Sequence, residues 1–355
     1  MKQGKSLMEL ATEIERQAQH KQDYVVKSQV LRMHSWSEGS SRLTLGDEAH
    51  GEYTVNDLAH KQIGQHLGIP ATYYSKLRGE FPGLLDENVN TLLGASPDGE
   101  RRMVRTIDGA ARAFLSDRYR RLDNFDLLEA VLPTLMETPG LEIASCDVTE
   151  QKIYLKVTTS RIQAEVKPGD VVQAGLLISN SEVGLGAVSI QPYSVRLVCL
   201  NGAVHNDLGT RRNHVGRLVT DTGEDAYKLF AEETLIADDK AFYLKVRDVV
   251  RGALRETVFR RIVSQMREAA GARPDADPVK AVEVLSKKHA LNGDEQKGIL
   301  RHLIEGADLS LWGMANAFTP HSLDVESYDR ATELEAIGGN IIALARSEYR
   351  ELVAA

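Results

Sequence analysis

Along the chain the spacing of apolar positions switches repeatedly between a helical and a strand period. Residues 1 to about 20 carry the helical spacing. Tyr24 to Met33, "YVVKSQVLRM", and Arg42 to Leu45 read as strands, with "SEGSS" as the turn between them. Leu58, Ile63 and Leu67 then share a helix face that Asn56 or Thr54 can cap; Gly68 ends that helix and Pro70 opens another. Two short helices about a glycine turn imitate a DNA-reading helix-turn-helix. The second carries two tyrosines and few cations, so packing or lid helices are the expectation.

The middle third alternates with period two. Ala110 to Leu115 is an expected strand, and "NFDLLEAVLPTLMETPG" a helix with Asn124 as candidate cap. "LEIASCDVTE" and "KIYLKVTTS" read as a hairpin. "DVVQAGLLISNS" and "GAVSIQPYSVRLVCLNG" give two more strands. Strand, helix, then four strands predicts an α+β fold, a mainly antiparallel sheet with a helix packed on one face.

From Gly223 to Ala270 the period is helical again. Phe242, Val246, Val249, Ala253 and Leu254 make one face, and Arg247, Arg251 and Arg255 form a ridge beside it. "GARPDADP", residues 271–278, reads as a linker. Beyond it Asp277-Pro278 starts one helix, and Asn292 with Glu295 starts another through a variant capping box. The expected divisions are an α/β accessory region at 1–100, the α+β core at 101–222, basic amphipathic helices at 223–270 and a helical region at 271–355.

With 355 residues the chain has room for two or three cores. No run of about 18 apolar residues suits a membrane span. "MKQGKSLMELATEIERQ" lacks the apolar centre of a secretion signal, so Cys146 and Cys199 are expected as reduced thiols in a cytoplasm.

The net charge of −8 hides segregation. Arg101 to Arg121 carries +5, Arg196 to Arg217 carries +3 and Lys240 to Arg267 carries +6, which leaves −22 on the rest. Local basic surfaces of this kind can hold phosphate on an acidic protein; they can equally be solvated helix faces.

The sequence carries no phosphate loop, nucleophile elbow, zinc motif or cysteine cage. "GLG" at Gly184 to Gly186 reads as a hairpin turn, and His205-Asn206-Asp207 as a polar loop with nothing to complete a metal site. No catalytic residue, metal or cofactor is assigned. What remains is arginine beside an aromatic. "SDRYRRLDN" sets Arg118, Arg120 and Arg121 around Tyr119, where guanidinium forks can grip phosphate and the ring can stack on a base. In the alternative, Asp117 and Asp123 pair those arginines and Tyr119 packs. Arg196, inside the apolar run "SVRLVCLNG", needs a partner wherever it is buried.

The segments "AFLSDRYRRLDN", "KPGDVVQAGLLISNSEVGLGA", "RLVCLNG" and "LWGMANAFTP" resemble the phage and plasmid proteins grouped as domain of unknown function nine hundred and thirty-two. The resemblance covers most of Arg101 to Leu352 and implies a mobile-element origin. Its strand–helix–strands core is similar to single-strand annealing proteins of the Rad fifty-two type, which act as rings on DNA. On that resemblance the first expectation is an oligomeric protein that holds or anneals single-stranded DNA. Arg112, Arg118, Arg120, Arg121 and Arg196 would contact phosphate, Tyr119 would stack, and Arg247, Arg251 and Arg255 would track the backbone. Arg196 would face a groove with Arg118 and Tyr119, or else pair with Asp117 or Glu182 and pin the sheet. Two other readings stay open: a protein-interaction or host-modulating factor, and an enzyme with a site at the base of the sheet.

Overall fold

The computed structural model describes residues 1–36, 39–46, 50–205, 210–212, 232–253, 256–272, 277–344 and 348. Helix α1 (Leu7–His20) starts at Ser6, whose hydroxyl accepts from the Glu9 N–H while the Glu9 carboxylate accepts from the Ser6 N–H. This reciprocal cap satisfies two donors that every helix start leaves open.

The single strand expected over 24–33 is two strands, β1 (Lys21–Lys27) and β2 (Arg32–Ser35), with a 3₁₀ turn at Ser28–Val30 between them. The burial pattern explains the break. Val26 and Ser28 point inward on even numbers, Leu31, Met33 and Ser35 on odd ones. One continuous strand cannot change phase without turning its apolar side to water, and the turn supplies the offset.

Strands β3 (Ser41–Thr44), β4 (Glu52–Val55), β5 (Arg101–Ile107) and β6 (Ala110–Ser116) complete a six-stranded sheet in the order β1-β5-β6-β4-β3-β2. Its one parallel contact is β4 with β6. β1 and β2 lie at opposite edges. In a flat sheet those edges would stand about 24 Å apart. The four residues between the strands reach at most about 17 Å, so the sheet must curl. Helices α2 (Asp57–His66), α3 (Ala71–Glu80) and α4 (Pro82–Gly94) fill the concavity with Ile63, Leu77, Leu85 and Val89. Asn56 caps α2, and Gly68 beyond its end holds φ of 68°. The helix-turn-helix imitation is a packed pair: a Cβ on Gly64 would lie 2.8 Å from the Tyr74 ring, so α3 sits against α2 there.

The second sheet is an antiparallel meander, β7 (Leu141–Val148), β8 (Ile153–Lys167), β9 (Asp170–Asn180), β10 (Val188–Arg196) and β11 (Asn201–Val204) in chain order. β12 (Thr210–Arg212) pairs with the first residues of β10. One face, with Ile153, Leu155, Val157, Leu176 and Ile178, packs on α1, α5 (Asn124–Glu137) and α6 (Glu232–Ala253). The other packs on α7 (Glu256–Gly271), α10 (Leu311–His321) and α11 (Tyr328–Ala343), with α8 (Pro278–Lys288) and α9 (Gly293–Gly306) behind. α11 comes so close to β11 that a Cβ on Gly339 would stand 1.8 Å from the Val204 carbonyl oxygen. Only glycine fits a helix so near a strand.

The α+β class is as expected, but the expected strand–helix–strands unit is divided between sheets. The strand at 110–115 is β6, at the centre of the first sheet. Adjacency along the chain suggested one unit; β6 pairs instead with β5 and β4. Asp277 and Asn292 cap α8 and α9 as expected. Cys146 and Cys199 are both unpaired. Among the described residues no helix is long and apolar enough to cross a membrane.

Candidate nucleic-acid interface

The arginine-rich loop follows β6 and lies where the two sheets meet. At its centre is Arg105, a β5 residue with no exposed surface. Its Nε and Nη2 donate to the two Asp23 carboxylate oxygens at 2.8 and 3.0 Å, Nη2 donates to Asp123 at 2.7 Å, and Nη1 donates to the Glu182 carbonyl at 2.9 Å. Lys21 bridges Asp123 at 2.7 Å and Glu182 at 3.3 Å. Arg112 reaches Glu182 at 2.5 Å. Burial and Asp123 push the Glu182 carboxyl upward; Arg112, Lys21 and Arg105 outweigh them and hold it below the usual carboxylate range. The expected cap, Asn124, is instead the first residue of α5. The N-cap is Asp123, whose carboxylate is held by Arg105 and Lys21, and Glu182 accepts from the Asn124 N–H at 2.7 Å. A carboxylate on a helix N-terminus is favoured by the dipole.

The loop arginines continue this network. Arg120 pairs with Asp238 at 2.5 Å and with Asp239, both on α6. Arg121 approaches Asp23 at 3.5 Å and is half exposed. Arg118 is exposed, its backbone N–H on the Ser116 hydroxyl at 3.2 Å. The Tyr119 hydroxyl donates to the Ser181 carbonyl at 2.8 Å, and its ring packs against Met103, Ala113, Leu115 and Val183. Burial pushes the Tyr119 phenol up. Of the two pairing acids foreseen, Asp123 serves Arg105 and Lys21.

Arg196 has the internal kind of partner, but neither of the two named for it. Its Nε and Nη2 donate to the Asp170 oxygens at 2.6 and 2.9 Å, and the guanidinium lies over the Trp312 ring at 5.8 Å. Trp312 Nε1 also donates to Asp170, at 3.0 Å. The shared groove with Arg118 and Tyr119 is corrected. Arg196 lies opposite Val172 at the start of β9, whereas Tyr119 bonds Ser181 just past its end. Nine residues of strand separate those points, roughly 30 Å.

Arg247 and Arg251 stand elsewhere, on α6. With Lys240 they line one wall of an open cleft of about 680 Å³ between α5 and α6. Tyr243 and Leu244 add ring and apolar surface, and Asp126, Glu129 and Glu137 come from the α5 side. Burial, with Asp123 next, pushes the Asp126 carboxyl above its ordinary value. Arg247 Nε is buried without a hydrogen-bond partner in the structure, although Nη2 stands 3.4 Å from Asp248. Arg255 lies outside the described residues.

Sequence reasoning missed Arg105, although the signal that singled out Arg196, an arginine within an apolar run, is present in "RRMVRTI". It also missed Lys156, whose ammonium pairs with Glu335 at 2.6 Å with both side chains fully buried. Tyr193 donates to that carboxylate at 3.2 Å, and the Tyr328 ring lies 4.7 Å from the ammonium. Alternation in "KIYLKVTTS" places Lys156 on the face of Tyr154 and Thr158, an inward face once both sides of the sheet are covered. His205 is buried against the Ser194 hydroxyl at 2.8 Å, while residues 206–209 lie outside the described residues. Among the described residues one group of three potential metal ligands converges, His302, His321 and Asp324.

With this geometry in place, the family described as Domain of unknown function (DUF932) matches residues 113–341, from the middle of β6 to the last turns of α11. No curated protein and no solved structure matches.

Proposed function

The chain belongs to this family of unknown function, and from that premise we propose that it is a non-catalytic protein that holds single-stranded nucleic acid along the basic wall of the α5–α6 cleft. The observation that carries the reading is the placement of Lys240, Arg247 and Arg251 on one wall of that cleft. Eleven residues of helix separate the first from the last, about 17 Å, which matches roughly three phosphates of an extended strand. Leu244, with 44% of its surface exposed, offers apolar contact between them. Arg120 ties the loop that carries Arg118 and Arg121 to the same helix through Asp238 and Asp239, so those exposed arginines lengthen the surface. The reading does not draw on Arg112 or Arg196, whose charges are held by Glu182 and Asp170, nor on Tyr119, whose hydroxyl and ring are both engaged.

The test is fluorescence anisotropy of a labelled oligothymidine at increasing salt. Backbone contacts predict little sequence preference and a log affinity that falls with log salt by about 0.7 per phosphate engaged. A parent protein that leaves the oligonucleotide free even at low salt overturns the reading. An annealing role adds that copies join their walls into a longer track. Sedimentation that shows a monomer at every concentration, with or without oligonucleotide, removes that part.

A second reading has its own support. Asp126, Glu129 and Glu137 face the cations, so the cleft bears both signs, and a polypeptide segment with mixed charge complements it better than a polyanion does. Glu129→Gln with Glu137→Gln separates the two. The change strengthens oligonucleotide binding under the first reading and weakens capture of a partner under the second.

A further inference from the structure

We propose that His302, His321 and Asp324 form a binding site for a first-row divalent transition metal, with zinc the fitting probe. His302 lies in the third turn of α9, His321 is the last residue of α10, and Asp324 follows in the turn beyond. One ligand atom from each lies within 4.8 Å of the other two. His302 Nε2 stands 2.9 Å and His321 Nδ1 3.1 Å from the same oxygen, Asp324 Oδ2. Neighbouring donors on a tetrahedral zinc stand about 3.3 Å apart, given bonds of about 2.0–2.1 Å. The two imidazole–carboxylate separations therefore need to widen by only a few tenths of an ångström to admit the ion.

Without a metal the arrangement is overloaded. Arg301 Nη2 also reaches Asp324 Oδ2, at 2.9 Å. Three donors then converge on one oxygen, which offers two lone-pair directions. A divalent ion removes the conflict: both imidazoles turn lone pairs to it, and Arg301, more than half exposed, can swing to water.

Two further features belong to a built site. The first is the room made for the buried imidazole. His321 keeps 6% of its surface, and a Cβ on Gly298 would stand 2.4 Å from its Cε1. Gly298 and His302 are four residues apart on one face of α9, so the helix presents a ligand and, one turn earlier, a gap that admits the other ligand's ring. The second is an outer carboxylate. Glu305 approaches His302 Nδ1 at 3.8 Å, on the ring nitrogen away from Asp324. That is beyond hydrogen-bond reach as it stands, and a small rotation of the Glu305 side chain would let it accept from Nδ1–H and leave Nε2 free to ligate. Two imidazoles and one carboxylate favour zinc, cobalt, nickel or copper over magnesium or calcium. Three protein ligands leave a fourth position open towards solvent, since Asp324 is partly exposed.

The experiment uses the full chain with Cys199→Ser, so that the exposed thiol binds nothing. The protein is stripped with a chelator and titrated with zinc by calorimetry, then with cobalt for its visible spectrum. The expected result is one equivalent of zinc, and a cobalt complex whose absorption marks imidazole–carboxylate ligation. His302→Gln and Asp324→Asn, both at partly exposed positions, should each weaken zinc by at least about 10-fold, while circular dichroism shows the fold kept. Arg301→Gln should tighten zinc, because it removes the competing cation. A parent that takes up no stoichiometric zinc overturns the proposal. So does a folded His302→Gln protein that binds zinc as tightly as the parent.

Discussion

Arginine meets two fates in this molecule. At the joint between the sheets, Arg105 is sealed among Asp23, Asp123 and the Glu182 carbonyl, with Arg112 and Lys21 completing the charge balance. On α6, Arg247 and Arg251 line an open cleft and, among the described residues, pair with Asp248 at 3.4 and 4.0 Å. Residue type does not separate the two regions. What separates them is whether carboxylates from distant strands arrive at the same place. A buried cation must be paired, so a charge at the joint belongs to the fold; a charge beside water keeps its field and can serve a ligand.

The sharpest way to break the comparison is Arg105→Met. It leaves Asp23 and Asp123 without their principal cation, and removing one partner of a buried pair costs about 3–5 kcal/mol. Denaturant unfolding should show that loss; a midpoint equal to the parent's would place the joint among surface pairs.

Acid gives the next effect. Burial holds His205 down to about 4 and His60 down to about 3. Their unfolded values lie near 6.5, so the unfolded chain takes up protons first. Stability from the neutral imidazoles is whole above about pH 6.5 and is lost as pH falls towards 4, on the order of 3 kcal/mol for His205. The joint answers in a lower window. Burial opposes the Asp123 charge, but Arg105 and Lys21 bring its carboxyl down to about 2. Its contribution stands above about pH 4 and disappears as pH falls through 2. Unfolding followed from neutral pH downwards should show the two windows separately, and His205→Gln should flatten only the upper one.

Tyr119→Phe is smaller. It removes the bond to the Ser181 carbonyl but keeps the packed ring, so about 1 kcal/mol of stability should go while oligonucleotide affinity stays. A fall in affinity without a change in stability would return Tyr119 to the contact surface.

The smallest effect on folding tests the other region. Lys240→Gln, Arg247→Gln and Arg251→Gln together should move stability by less than about 0.5 kcal/mol. The same protein should flatten the salt slope of oligonucleotide binding by about 2. An unchanged slope would make the α6 wall a solvated face.

Elements were legible in the sequence where the period was long, as for α1 and the β7–β8 hairpin, or where the cap was chemical, as for α9. Pairing was not. The period of β6 is the same whichever sheet receives it, and only contacts with β4 and β5 assign it to the first. The need of Arg196 for a partner could be read from its apolar neighbours, yet Asp170 is 26 residues away and meets it through the β9–β10 register. Arg105 was overlooked because seven arginines in Arg101 to Arg121 read as surface charge, although one of them sits between Val104 and Thr106. The α6 ridge was legible as a pattern; the cleft beside it depends on how α5 lies across the sheet.

The joint also has a consequence in time. Arg105 is 82 residues from the Asp23 carboxylate and 77 from the Glu182 carbonyl, and Arg112 is 70 from the Glu182 carboxylate. Contacts so distant along the chain form late, because long loops must close first. During synthesis the first sheet is complete once β6 has emerged, yet Arg112 on that strand must wait for the Glu182 carboxylate, some sixty residues later, at a pace of about 5–20 residues per second. For those seconds the curled sheet carries an arginine without its carboxylate in its wall, and Glu182, just past the end of β9, arrives as the counter-charge that closes it.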